Sequence, residues 1–197
     1  ETISMKAWKR VGETLQLPTS DEFILSLIGR TRKDEQVVFD SYMPKGWPQE
    51  EACSLHTQFK KEEKLKNGVP LMGDVKGLLD TVKAKGYTIA MATSASAEDV
   101  EFNLNNADIQ HYFEAIISDE MITHGKPAPD VYLKTAQQLN LSPQECLVVE
   151  DSLNGVRAAF GAGTTVVMIP DKVQPTKEIK AMCNYILKSL DDLKEIV

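Results

Sequence analysis

The amino-acid sequence predicts an α/β protein, in which a doubly wound parallel-sheet domain follows an α-helical subdomain. Two observations predict this class. Residues 1–68 show only helical patterns, whereas residues 69–197 alternate short apolar runs with amphipathic stretches of helical length. Continuous apolar strands that alternate with helices are typical of a parallel sheet covered on both faces. We therefore expect a helical subdomain over 1–68 and a doubly wound domain over 69–197.

Four helices are predicted in the first part. Turn signals at residues 17–20, at Gly29 and at residues 44–48 separate them, because glycine and proline interrupt helices. Ser20 precedes two acidic residues and an apolar set at helical spacing, a pattern that favours a helix start. No strand pattern intervenes, so this part should be entirely helical.

Four apolar runs in the second part are predicted strands, and they are Tyr87–Ala92, Ala115–Ile117, Cys146–Val149 and Thr164–Ile169. Helical patterns alternate with them, around residues 75–85, 98–106, 131–139 and 155–162. In open parallel sheets, ligands bind at the carboxyl ends of the strands, where connecting loops and helix N-termini converge. The chemistry of this protein is therefore expected at these strand ends.

Composition and charge exclude several classes of function. The 197 residues are 42% hydrophobic and 26% charged, as in ordinary globular proteins, and their net charge of −7 disfavours nucleic acid and anionic membranes as partners. No run of 18 apolar residues occurs, and the three cysteines lie far apart, outside any CxxC spacing. We expect a cytoplasmic monomer that binds neither nucleic acid nor membrane.

Hydroxyl groups and a lysine follow the first two predicted strands. Thr93 and Ser94 come directly after the first strand, and their hydroxyls beside the free N–H groups of a helix start suit a phosphate oxygen. Simple capping of that helix is the alternative. Lys126 follows the second strand in a loop that two prolines stiffen, and the alternative for it is an ordinary solvated lysine.

Two adjacent carboxylates, Glu150 and Asp151, directly follow the third predicted strand. Carboxylates at the rim of an apolar core can share a hard cation such as Mg²⁺. A cation site, a lysine and hydroxyl donors on consecutive strand ends are the groups that stabilise a transferring phosphoryl group. The pattern therefore indicates phosphoryl chemistry, although it shows no nucleophile.

Two other candidate motifs have structural explanations. Gly161–Gly163 resembles part of a dinucleotide fingerprint, but it follows a helix and precedes a strand, so it predicts a helix C-cap. The histidines His56, His111 and His124 have no metal-ligand spacing, and packing or surface roles are favoured for them.

The order and separation of these motifs resemble the haloacid dehalogenase superfamily. Ala92–Ser94, Gly125–Asp130 and Val148–Ser152, with Gly155, resemble its second, third and fourth motifs. The subgroup of β-phosphoglucomutase-like and sugar-phosphate phosphatases is the most similar, and there a Rossmann-like core carries a helical cap. The resemblance covers essentially all 197 residues. It implies that residues 1–68 form the cap and residues 69–197 the core.

The resemblance also implies a role for each residue at the strand ends. Thr93, with Ser94 beside it, binds the phosphate. Lys126 neutralises the phosphate and an aspartyl intermediate. Glu150 and Asp151 bind the cofactor, Mg²⁺. The implied activity is hydrolysis of a small phosphorylated metabolite.

The first motif of the family, Asp-x-Asp on the first core strand, has no counterpart at the expected place in the sequence. The resemblance places Glu1 just after that strand, and helical spacing already runs through the first residues. A strand and its loop need about 15 to 20 residues. We expect that the nucleophilic aspartate lies upstream, that the first core strand is missing, and that residues 1–197 alone are inactive.

The resemblance gives the cap a role in substrate choice. Residues 27–32 resemble its substrate-facing turn, with Arg32 placed to meet a second anionic group. The mutase branch has a lysine and a histidine where this chain has Ile28 and Ser4, which favours a hydrolase over a mutase. A catalytically inactive binding protein is a further alternative. A receiver-like signalling module fits less well, because it lacks an inserted helical subdomain and the Lys-Pro loop.

Overall fold

The computed structural model describes residues 2–27, 32–171 and 173–197, apart from the side chains of residues 2 and 32–34. The chain divides into two units, Glu1–Val69 and Pro70–Val197. The first unit is helical and the second contains the strands that the structure describes.

The first unit consists of α1 (Thr2–Leu15), α2 (Asp21–Leu27), α3 (Arg32–Tyr42) and α4 (Gln49–Asn67). Ser20 starts α2 as predicted, because its hydroxyl accepts a hydrogen bond from the Phe23 N–H at 3.2 Å. Aromatic side chains fill the core, where the ring of Trp8 meets that of Phe23 edge-on at 5.5 Å between centroids. The described residues of this unit contain the four predicted helices.

The length and polarity of the described helices decide whether any of them could span a membrane. The longest of them, α4, has 19 residues and carries charged side chains along its length. Over residues 2–27, 32–171 and 173–197, no helix is both long and apolar enough to cross a membrane.

The second unit alternates helices and strands. Its helices are α5 (Val75–Ala84), α6 (Ala97–Ala107), α7 (Asp130–Gln138), α8 (Leu153–Ala162) and α9 (Lys177–Met182). Its strands are β1 (Ala90–Thr93), β2 (Ala115–Ser118), β3 (Leu147–Glu150), β4 (Thr165–Met168) and β5 (Tyr185–Ile186). β1 pairs with β2, and β4 lies between β3 and β5, with every ladder parallel.

Alternate residues of the strands face different helices. In β4, Val166 and Met168 pack among residues of α7, α8 and α9, whereas Val167 packs against Leu78 of α5 and Leu193. Successive strand residues point to opposite faces, so helices cover both sides of β4. The predicted α/β class with parallel strands is confirmed.

Two features of the second unit differ from the prediction. The first strand begins at Ala90 rather than Tyr87, since the Tyr87 N–H donates to the Val82 carbonyl oxygen in α5 and Tyr87 is exposed. The short elements α9 and β5 were not predicted, because β5 has two residues and gives no periodic signal.

Candidate active site

Polar residues lie at the carboxyl ends of β1, β2 and β3. Thr93 ends β1 and Ser118 ends β2, and the parallel register pairs these two residues. Glu150 ends β3. Lys126 lies in the loop between β2 and α7, and its Nζ donates to the Ala92 carbonyl oxygen at 3.5 Å. The loop therefore returns the lysine to the strand ends.

Lys126 and Glu150 form a buried ion pair. The ammonium donates to Oε1 of Glu150, and the two side chains are 12% and 7% exposed. The hydroxyl of Tyr132, in the first turn of α7, donates to the same oxygen. The sequence predicted a phosphate role for Lys126 and a metal role for Glu150, but not their pairing.

The second carboxylate oxygen of Glu150 is held by the start of α8. Oε2 accepts hydrogen bonds from the N–H groups of Asp151 and Ser152, both at 3.2 Å, and from the Ser152 hydroxyl at 3.0 Å. Burial raises the pKa of Glu150, but the charge of Lys126 and the hydrogen bonds outweigh it, so the pKa lies below its usual value. Glu150 is therefore ionised and bonded through both oxygens.

Asp151 is the second carboxylate at this strand end, and it is exposed. Partial burial of its carboxyl and the charge of Glu150 raise the pKa of Asp151. A cation would relieve this crowding of negative charge, and carboxylate oxygens are ligands that Mg²⁺ prefers. Asp151 therefore fits a hard divalent cation, whereas both oxygens of Glu150 already accept hydrogen bonds from the protein.

Two carboxylates do not complete a metal site. Among the residues that the structure describes, no three histidine, cysteine, aspartate or glutamate side chains group closely enough to hold a metal ion. Mg²⁺ usually keeps several water ligands and binds through one or two carboxylates together with substrate phosphate. An exposed carboxylate with a second negative charge beside it is therefore compatible with this cation.

The hydroxyl residues after β1 lie in a turn. Thr93 Oγ1 accepts a hydrogen bond from the Ala95 N–H at 3.1 Å, and Ser94 is exposed. Ser96 caps α6 instead, because its hydroxyl accepts from the Asp99 N–H at 3.3 Å. The alternative that Thr93 or Ser94 only caps this helix is wrong, since the helix starts at Ala97.

Gly155 in α8 leaves the space that Glu150 occupies. A Cβ atom at this position would overlap the carboxyl carbon and both oxygens of Glu150. Ser152 caps the same helix by accepting from the Gly155 N–H at 3.0 Å, and its hydroxyl also contacts Glu150. At the other end, Gly163 caps α8 with a φ of 80°, which confirms the predicted helix C-cap.

Tyr132 is the residue of this cluster that sequence reasoning missed. It is 6% exposed, and Val131 and Ala136 are the other buried residues of α7. Helical periodicity predicted a buried face of α7 but no polar partner. The available signal was chemical, because a buried tyrosine hydroxyl usually has a hydrogen-bond partner.

The sequence also singled out residues outside this cluster of contacts, and two of them cannot be described. The side chain of Arg32 falls outside the described residues, as does all of Ile28. His56 stacks on Trp8 in the helical unit, with 4.5 Å between the ring centroids. His124 is exposed and bonds to Asp130 at 3.0 Å. These histidines have the packing and surface roles predicted for them.

The protein is similar to known phosphatases. It is 28% identical over 169 residues to the phosphorylated carbohydrates phosphatase of Thermotoga maritima, which covers 83% of this chain and 75% of that protein. It is 30% identical over 118 residues to the bifunctional riboflavin kinase/FMN phosphatase of Arabidopsis thaliana, which covers 59% of this chain. The chain spans 31% of the length of that plant protein.

Solved structures share the fold. CbbY from Rhodobacter sphaeroides, in complex with phosphate, matches with a TM-score of 0.78 at 24% identity, over 98% of this chain and 89% of that chain. The family model of haloacid dehalogenase-like hydrolases matches residues 1–169, a span that contains β1 to β4 and the polar strand ends. The chain belongs to the haloacid dehalogenase-like hydrolase family.

Proposed function

We propose that the protein is a Mg²⁺-dependent phosphatase that hydrolyses a small phosphorylated metabolite of the sugar-phosphate type. The buried Lys126–Glu150 pair at the strand ends carries this proposal. A fixed lysine in a water-poor position stabilises charge on a phosphoryl group far better than a mobile surface lysine does. The Thermotoga relative, named as a phosphatase of phosphorylated carbohydrates, supports the substrate class.

Lys126 has one hydrogen-bond donor left for a ligand. An ammonium group carries three N–H donors. In the described part of the chain, one points to the Ala92 carbonyl oxygen and one to Glu150. The third is directed to the phosphate in our proposal. Thr93 and Ser94 add hydroxyl donors from the end of β1, and together these groups bind and orient the phosphoryl oxygens.

Asp151 would hold Mg²⁺ through its carboxylate, and the negative charge of Glu150 beside it would add to the attraction for the ion. When bound, the ion supplies positive charge against the phosphoryl oxygens. In the proposed reaction the first aspartate of the family's Asp-x-Asp motif, upstream of Glu1, attacks phosphorus and forms the aspartyl-phosphate. The bond from phosphorus to the metabolite oxygen breaks, and this oxygen leaves as a hydroxyl after taking a proton from the second aspartate of the motif. Water then hydrolyses the aspartyl-phosphate to inorganic phosphate and restores the carboxylate.

Substrate choice is assigned to the helical unit. We propose that Arg32 pairs with a second anionic or polar group of the metabolite, because its planar fork of donors matches a carboxylate or phosphate. The proposal rests on the resemblance of residues 27–32 to the substrate-facing turn of the cap. Arg32→Ala should therefore lower kcat/KM more for substrates that carry a second anionic or polar group than for p-nitrophenyl phosphate, which lacks one.

A phosphate-release assay tests the proposed function. The complete gene product, including the first motif, is assayed on sugar phosphates, nucleotides and polyol phosphates, with Mg²⁺ and with EDTA. Lys126→Ala should lower turnover by about 10²- to 10³-fold, as for other losses of one electrostatic stabiliser. Lys134→Ala, which removes an exposed lysine of α7, is the matched control. A wild-type protein inactive on all three classes would favour the binding-protein alternative.

A further inference from the structure

Tyr132 contacts both members of the Lys126–Glu150 pair. Its hydroxyl donates to Oε1 of Glu150, the same oxygen that receives the Lys126 ammonium. The Lys126 Nζ also lies 5.0 Å from the centroid of the Tyr132 ring. The tyrosine therefore touches the cation through its ring and the carboxylate through its hydroxyl.

The hydrogen bonds around Glu150 leave little freedom for rearrangement. A carboxylate oxygen offers about two lone pairs. Oε1 receives Lys126 and Tyr132, and Oε2 receives three donors from Asp151 and Ser152. If the Tyr132 hydroxyl were absent, Oε1 would have an open lone pair beside the Lys126 ammonium, which already donates to this oxygen.

We infer that Tyr132 is a positioning residue, whose hydroxyl occupies one side of Oε1 and prevents Glu150 from drawing a second N–H of Lys126 away from the phosphate. This inference rests on the proposed function for its effect on turnover. Tyr132 itself acts through the lysine and does not contact the reacting atoms. A purely structural tyrosine would instead affect stability alone.

Tyr132→Phe is the direct test, because it removes the hydroxyl and keeps the ring. The assay uses the complete gene product, a sugar phosphate and Mg²⁺. We expect kcat to fall about 10-fold and KM to change less than about 2-fold. The reason is that the Lys126 N–H drawn away from the phosphate acts mainly when charge develops in the transition state. Tyr112→Phe makes the same chemical change at a hydroxyl that donates to Asp80 at 2.6 Å in the same unit. This control should leave both constants unchanged.

A double variant separates positioning from structure. If Tyr132 acts through Lys126, then Tyr132→Phe should have no further effect on kcat in a Lys126→Ala background. An unchanged kcat in Tyr132→Phe, or the same 10-fold loss with and without the lysine, would overturn the inference while leaving the proposed function intact.

A measurement without turnover covers the case in which the proposed function fails. In protein labelled with ¹³Cε-lysine, the Lys126 resonance is assigned by its absence from the Lys126→Ala spectrum. We expect Tyr132→Phe to move this resonance, because the ammonium shifts toward Glu150, and Tyr112→Phe to leave it in place. A Lys126 resonance that Tyr132→Phe does not move would overturn the inference even if no substrate is found.

Discussion

Asp151 carries the exposed charge next to the buried Lys126–Glu150 pair, and its replacement tests the cation site. Asp151→Asn keeps the shape of the side chain but removes the charge that holds a hard cation. We expect the Mg²⁺ concentration for half-maximal kcat/KM to rise at least about 10-fold. Asp108→Asn is the matched control, because Asp108 is exposed and pairs with Lys76 on the surface. The same Mg²⁺ dependence in Asp151→Asn and wild type would contradict the assignment.

The sequence identified the residues at the strand ends but not their contacts. Thr93, Lys126 and Glu150 could be predicted to gather because the carboxyl ends of parallel strands meet at one edge. The direct pairing of Lys126 with Glu150 could not, since 24 positions separate them and the path of the loop decides their distance. The hydroxyl of Tyr132 was missed for the same reason, because its partner lies on another element.

The helix α8 positions Glu150 through a close approach at Gly155. Gly155→Ala would place a Cβ atom on the Glu150 carboxyl group, which five hydrogen bonds hold in place. We expect turnover to fall by about 10-fold or more as the carboxylate and its lysine are displaced. The measurement is kcat/KM of the complete gene product with Mg²⁺.

Gly161→Ala is the control for this substitution. It lies in the same helix, and its Cβ atom would meet Pro129 at an ordinary contact distance of 3.7 Å. Alanine stabilises a helix interior by roughly 0.5–1 kcal/mol relative to glycine, so this variant should be at least as stable as wild type and equally active. Equal activity of both alanine variants would show that Glu150 has room to move.

The boundaries of the elements were predictable where local chemistry fixes them. Ser20 and Gly163 mark helix ends through their caps, and both were identified from the sequence. The start of β1 was not, because the side chain of Tyr87 suits a strand, yet its N–H donates to Val82 in α5 and the register with β2 begins at Ala90. Long-range pairing, not local propensity, decides such a boundary.

The stability of the helical unit should depend on pH through His56. This side chain stacks on Trp8 and bonds to Ser4, and burial, with the charge of Lys60, lowers the pKa of His56 from 6.5 to about 4. Between pH 6.5 and about pH 4, His56 is therefore protonated in the unfolded chain but not in the folded unit. The free energy of unfolding should therefore decrease as pH falls from 6.5 to 4, by up to about 3 kcal/mol.

Tryptophan fluorescence can follow this unit selectively. Both tryptophans of the chain, Trp8 and Trp47, belong to it. Urea unfolding is measured from pH 7 to pH 4.5 in wild type, in His56→Gln and in His111→Gln, which changes an exposed histidine of the second unit. The free energy of unfolding should depend less on pH in His56→Gln than in wild type, and equally on pH in His111→Gln and wild type. An equal slope in all three proteins would mean that His56 titrates normally.

The α/β class was predictable because the fold requires two patterns that the sequence shows, continuous apolar runs for the buried strands and helical spacing of apolar residues between them. Parallel strands buried on both faces need apolar side chains in succession, as in β4, where Val166 and Val167 point to different cores. The separation of the strands into two ladders, one with β1 and one with β4, was not predictable, because hydrophobic patterns do not encode strand order.

Among the residues that the structure describes, the ion pair between Lys126 and Glu150 leaves no net positive charge at the ends of β1 and β3. With Asp151 included, one positive group stands beside two negative ones. A phosphate dianion is therefore repelled until a cation offsets Asp151, and the two ligands should bind with positive linkage. Thermodynamic reciprocity requires that Mg²⁺ strengthens phosphate binding by the same factor as phosphate strengthens Mg²⁺ binding.

Calorimetry with inorganic phosphate can measure both sides of this linkage. We expect phosphate to bind at least about 5-fold more tightly with saturating Mg²⁺ than in EDTA, and Mg²⁺ to gain the same factor from phosphate. Equal phosphate affinities in the two conditions would show that Lys126 attracts the anion unaided. With positive linkage, Mg²⁺ and phosphate together occupy the site at concentrations at which neither ligand alone does. Occupancy therefore depends on the product of the two ligand concentrations.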